Sequence, residues 1–191
     1  MKINIPTYLT LLRIALIPVM AGVFFLPAKN AHIACGLIFM LAGITDWLDG
    51  FLARKLDMTT RFGAFLDPVA DKLMVTIALV LIVQSYPSPI VTVSAAIIVG
   101  REITIASLRE WMAEVGERRK VAVSELGKWK TAAQMVSITL LLLGLDVWTE
   151  QLYVTGQLLL ALSAALTLWS MIIYLKAAIP SLSQTEENET L

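Results

Sequence analysis

Four carboxylates stand within one short stretch of the chain: Asp46 and Asp49, then Asp67 and Asp71. They offer oxygen alone, the donor that Mg²⁺ and Mn²⁺ take and softer metals do not favour. On a helix, 100° per residue places Asp46, Asp49, Gly50 and Ala53 within about 100° of arc, with Arg54 at its border. Gly63, Asp67 and Asp71 are spaced by four and form a second stripe about 80° wide. The connection between the groups, residues 55–62, is short, so the two helices are antiparallel neighbours whose stripes can face each other. One or two carboxylates would suit a polar helix end. Four facing each other at low dielectric repel, and would take up protons unless cations hold them. With Arg54 they carry a formal −3; a bound diphosphate deepens that to −5, and two divalent cations return it to −1. Two such ions about 3.5–4 Å apart clamp a phosphoryl group during in-line displacement. Gly50, Ala53 and Gly63 suit close helix packing, and on these acidic faces their missing side chains also let a substrate headgroup reach the backbone.

The elements that carry these residues are membrane helices. Hydrophobic residues make up 58% of the 191 positions, charged residues only 16%, and mean hydropathy is +0.76; a soluble domain carries about 25% charged residues. Segments apolar enough to cross a bilayer are expected at about 8–27, 31–53, 63–84, 88–112, 127–145 and 151–176. Turn formers separate them at Pro27 to Asn30, Ser85 to Pro89 and Gly144 to Asp146. Pro68 removes one backbone hydrogen bond, to the carbonyl of Ala64, beside Asp67. The fold class expected is all-α: a polytopic membrane protein of six transmembrane helices in one domain, 1–179, with a polar, disordered tail at 180–191. The first apolar run contains Arg13 and lacks a small-x-small cleavage site, so it reads as a retained helix rather than a signal peptide.

Charge sets the orientation. With six spans and an inside N-terminus, fourteen Lys and Arg residues fall on or near one side and only Lys29 on the other. Both termini are therefore expected in the cytoplasm, and the aspartates at the cytoplasmic face. His32 is the only histidine and Cys35 the only cysteine, which excludes Ser–His and Cys–His catalysis, a CxxC site and an internal disulfide. Formal net charge is zero, and no nucleic-acid partner is expected.

The pattern Asp46-x2-Asp49-Gly50-x2-Ala53-Arg54-x8-Gly63-x3-Asp67-x3-Asp71 resembles the signature of the CDP-alcohol phosphatidyltransferase family at every fixed position. Further similar segments are Asn4 to Arg13, Arg61 to Lys72, Arg101-Glu102, Leu108 to Trp111 and Gly127 to Thr131. Thr7 departs from the pattern, since many members carry Asn after the proline. The resemblance implies a six-helix membrane fold, a homodimer, and a site opening to the cytoplasmic leaflet of the bacterial inner membrane. It implies phospholipid biosynthesis, with CDP-diacylglycerol as donor, glycerol 3-phosphate as acceptor, and two Mg²⁺ or Mn²⁺ ions. Carried onto this chain, Asp46, Asp49, Asp67 and Asp71 hold the metals and Asp71 is the base. Gly50, Ala53, Arg54, Gly63 and Thr10 bind CDP-diacylglycerol. A phosphorylated acceptor needs its own cations, for which Arg101 and Lys130, then Lys128 and Arg109, are the candidates. Three other readings compete. A different acceptor, such as serine, an inositol phosphate or a lipid, would use the same metal core. An intramembrane prenyltransferase normally has its two Asp-rich motifs far apart. A divalent-cation transporter needs carboxylates along a path across the bilayer, and spans four to six have none deep inside.

Overall fold

A computed structural model describes residues 4–56, 60–85, 87–116, 125–146 and 150–189; the side chains at 51–54, 56, 61, 125–129 and 180–189 are among those outside the described set. Six helices follow one another: α1 (Ile5–Phe24), α2 (Ala31–Leu56), α3 (Arg61–Ser85), α4 (Pro89–Glu114), α5 (Glu125–Gly144) and α6 (Glu150–Glu189). No strand occurs among the described residues.

Local chemistry explains most boundaries. α1 begins earlier than its apolar run because Asn4 caps it, Oδ1 accepting from the backbone of Thr7 at 3.1 Å, with Pro6 in the first turn. Thr60 serves α3 in the same way, its Oγ1 accepting from the Gly63 backbone at 3.0 Å. α4 starts on Pro89, and Gly116, at φ +82°, takes the left-handed conformation just past its end. Despite Pro68, α3 is continuous. α6 passes through Pro180 into the polar stretch at the C-terminus and is helical to Glu189.

Among the described residues, four helices are long and apolar enough to cross a membrane: Pro6–Phe24, Ala31–Gly50, Pro89–Glu114 and Gln151–Lys176. The apolar part of α5, Lys130–Gly144, is shorter, and α3 carries Asp67, Asp71 and Lys72 towards its start. Large apolar side chains point outwards all round the bundle, including Phe65, Val80, Ile103, Leu158 and Trp169. Lipid solvates such side chains where water would not.

Packing is most extensive between α5 and α6 and between α1 and α2; α4 rests on α6, α3 on α1, and α2 on α5. The core joins Met20, Phe39, Leu79, Ile98, Ile138 and Leu160, one from each helix. Gly156 allows the α5–α6 approach: a Cβ there would lie 2.9 Å from Leu141 Cγ, and Ser137 Oγ donates to the Gly156 carbonyl at 2.8 Å. Where α1 turns into α2, Asp146 accepts from the Ile33 backbone at 3.0 Å and pairs with His32 Nδ1 at 2.6 Å. Burial works against the charge of Asp146, but the hydrogen bonds from His32 and Ile33 outweigh it and hold the carboxyl below its usual pKa.

Candidate active site and metal centre

The end of α2 and the start of α3 bring Asp46, Asp49 and Asp67 together, with one carboxylate oxygen of each within 4.8 Å of the others. α1 supplies two more members. Thr10 Oγ1 lies 2.8 Å from Asp67 Oδ1 and 3.1 Å from the Pro6 carbonyl, two acceptors that share its one hydroxyl hydrogen. Arg13, buried in the bundle, places Nη1 2.6 Å from Asp46 Oδ1 and donates through Nη2 to Asp49 Oδ2 at 2.5 Å. The two contacts differ in quality: Nη1 is close to Asp46 but misaligned for a hydrogen bond, whereas Nη2 is aligned on Asp49.

In the sequence Arg13 counted as a charge on the basic side, as a mark against a signal peptide and as the end of a family-like segment, but not as a partner of the aspartates. Its signal lay in its setting, an arginine inside an apolar helix, three residues after Thr10 and on the same face. Gly63 has a packing reason visible here, since a Cβ would lie 3.0 Å from both Thr60 Oγ1 and Thr7 Oγ1 where α1 meets α3. Gly50 lies in α2 directly after Asp49. The side chains of Ala53, Arg54 and Lys128 lie outside the described residues.

The donor set fits a hard divalent cation. Three carboxylates converge, every donor is oxygen, and Asp49 Oδ1 is buried without a hydrogen-bond partner. Such an oxygen is costly unless something positive meets it.

Asp71, one turn beyond Asp67, stands outside this convergent group and faces an adjoining cavity of about 190 Å³. That cavity is lined by Lys72, Arg101, Arg109 and Lys130 together with Asp71 and Glu102. Among the described residues its wall carries four cations against two carboxylates, a surplus of two positive charges. Glu102 accepts from Arg101 Nη1 at 2.6 Å and from Lys130 Nζ at 3.3 Å. Arg101 also reaches Ser170 Oγ at 3.4 Å, and the Arg109 guanidinium lies 5.7 Å from the centre of the Tyr174 ring. Between α2 and α5, Trp47 lines an apolar groove with Met40, Gly43, Met135 and Leu140.

Two converging helix ends rich in carboxylate, with a cationic cavity beside them, form a cluster that could hold a divalent cation next to an anion-binding pocket in a bundle of apolar helices. A family model described as CDP-alcohol phosphatidyltransferase matches residues 3–169, and the chain belongs to that family. It is 54% identical over 178 residues to a protein of Salmonella choleraesuis (93% of this chain, 96% of the relative), and likewise to one of Escherichia coli K12. A Haemophilus influenzae protein is 53% identical over 182 residues, 95% of this chain and 97% of its own. Each of the three is named CDP-diacylglycerol–glycerol-3-phosphate 3-phosphatidyltransferase.

Proposed function

We propose that this chain catalyses the reaction for which those relatives are named: it moves the phosphatidyl group of CDP-diacylglycerol to glycerol 3-phosphate, releasing phosphatidylglycerophosphate and CMP. One observation carries the reading: the carboxylate cluster and a cavity with two surplus positive charges adjoin, with Asp71 on the wall of the second. A phosphate monoester brings about −1.5 to −2 at neutral pH, which matches that surplus. A neutral alcohol would leave it unopposed.

In this reading Asp46, Asp49, Asp67 and Asp71 hold two Mg²⁺ or Mn²⁺ ions. When bound, the ions supply Lewis-acid neutralisation of the diphosphate and the leaving group. Thr10 fixes the carboxylate of Asp67, and Arg13 fixes those of Asp46 and Asp49. Gly50, Ala53, Arg54 and Gly63 border the donor's headgroup, and the apolar groove beside Trp47 lies on the same helix as Asp46, within reach of a lipid donor. Arg101 and Lys130, with Arg109 and Lys128, hold the acceptor's phosphate. Asp71 takes the proton from the acceptor hydroxyl as that oxygen bonds to the lipid-linked phosphorus and the bond to CMP breaks. No covalent enzyme intermediate is required.

The same proposal places six spans in the bacterial inner membrane, with both termini and the site on the cytoplasmic side, in a homodimer. The domain is residues 1–179, with 180–191 as a polar tail. Support comes from the fourteen-to-one partition of Lys and Arg and from six consecutive helices.

The test is to give the purified enzyme CDP-diacylglycerol with glycerol 3-phosphate, serine, inositol phosphate or phosphatidylglycerol, and to identify the lipid product. Glycerol 3-phosphate should be the productive acceptor. Arg101→Ala and Lys130→Ala should each raise its KM about 10–100-fold, the cost of one charged hydrogen bond. Turnover with another acceptor alone would overturn the assignment.

A further inference from the structure

We propose that Glu102 is a positioning residue for the acceptor, its carboxylate holding the Arg101 guanidinium and the Lys130 ammonium side by side at the spacing that grips one phosphomonoester. This rests on the reading of the cationic cavity as the acceptor pocket. Three observations support it. First, a single oxygen, Glu102 Oε1, accepts from both cations, at 2.6 Å from Arg101 and 3.3 Å from Lys130. Second, those cations come from different helices, α4 and α5, and both are buried. Two buried like charges repel at low dielectric, so an anion between them is what lets them share one wall. Third, the other two sides are anchored independently, Arg101 by Ser170 and Arg109 against Tyr174, both on α6. Glu102 is the carboxylate that ties the α4 wall to the α5 wall.

Charge alone gives the opposite expectation. A carboxylate in an anion pocket should repel the ligand, so removing it should tighten acceptor binding. If Glu102 instead preorganises the two donors, removing it frees both side chains and weakens binding, because their ordering must then occur on association. The two accounts differ in sign.

Glu102→Gln keeps the shape and removes the charge. It should raise KM for glycerol 3-phosphate about tenfold, the weight of one well-placed charged hydrogen bond, with KM for CDP-diacylglycerol within about twofold of wild type. Glu102→Asp keeps the charge but withdraws the oxygen by one carbon–carbon bond, about 1.5 Å. It should raise the acceptor KM as well, since position is what it loses. An unchanged or lower acceptor KM in Glu102→Gln overturns the inference. So does a normal KM in Glu102→Asp, which would reduce the residue to a counter-charge. Should Glu102→Gln fail to fold, Glu102→Asp decides alone, a raised KM supporting the role and a normal one ending it. Arg101→Ala and Lys130→Ala are run beside them. If both leave acceptor KM unchanged, the pocket reading fails and the role of Glu102 falls with it. If both raise it while Glu102→Gln does not, only the inference about Glu102 fails.

Discussion

Replacing Arg13 by glutamine removes the guanidinium set against Asp46 and Asp49 while keeping much of the side chain's bulk. Asp49 depends on it more: its side chain is 2% exposed, its Oδ2 accepts at 2.5 Å, and its Oδ1 has no hydrogen-bond partner. Taking one partner from a buried pair costs about 3–5 kcal/mol, because the remaining charge is stranded. Asp46 is 46% exposed and its contact is misaligned, so that arm adds at most about 1 kcal/mol. A loss of about 3–5 kcal/mol lowers Tm by roughly 6–20 °C in a chain of this size. The assay is thermal unfolding of purified protein in detergent with EDTA, followed by circular dichroism. Mn²⁺ should then raise Tm more in Arg13→Gln than in wild type, since carboxylates left without a cation gain more from a divalent one. Mn²⁺ titration by electron paramagnetic resonance should show tighter binding in the variant. A variant that unfolds in EDTA within about 2 °C of wild type, with unchanged Mn²⁺ affinity, would refute the reasoning and make Arg13 a bystander.

Asp→Asn at Asp46, Asp49, Asp67 or Asp71 should lower turnover by several orders of magnitude without unfolding the protein, and EDTA should abolish activity that Mg²⁺ or Mn²⁺ restores; near-normal rates in two or more variants would sink the metal reading. With the buried Cys35 replaced by alanine, cysteines at Arg61 or Arg119 should react with an impermeant thiol reagent only from the cytoplasmic side, and one at Lys29 only from the other. Labelling of position 61 from outside would invert the topology. Because its folded pKa is depressed, Asp146 contributes stability that is full above the ordinary carboxylate value and lost as pH falls through the lowered one. The Tm gap between wild type and Asp146→Asn should therefore be open at pH 7 and narrow below about pH 4; a gap unchanged at pH 3 would show that charge is not its source.

Much of the fold could be read along the chain, because membrane helices announce themselves by length and apolarity alone. The expected segment 31–53 appears as Ala31–Leu56, 63–84 as Arg61–Ser85 and 88–112 as Pro89–Glu114. The misses lie at the ends. α1 is moved towards the N-terminus by the Asn4 cap, a local hydrogen bond that apolarity does not report. Six spans were expected; among the described residues, four helices meet the length and apolarity of a span.

The site divides the same way. The spacing on two helices joined by a short connection, a local matter of 100° per residue, led to the expectation that Asp46, Asp49, Asp67 and Asp71 face one another; the structure brings the first three together and leaves Asp71 on the wall of the adjoining cavity. That Arg13 closes on Asp46 and Asp49, that Thr10 holds Asp67, and that Glu102 bridges to Lys130 were decided only in three dimensions. The reason is physical. In water, an apolar stripe tells which face of a helix turns inwards. In a bilayer the outward faces are apolar too, as Leu158 and Trp169 on α6 show, while Ser163 and Thr167 of the same helix are buried. Without that contrast, a helix's rotation about its own axis is fixed by how its side chains interlock with its neighbours, and no single segment contains that information.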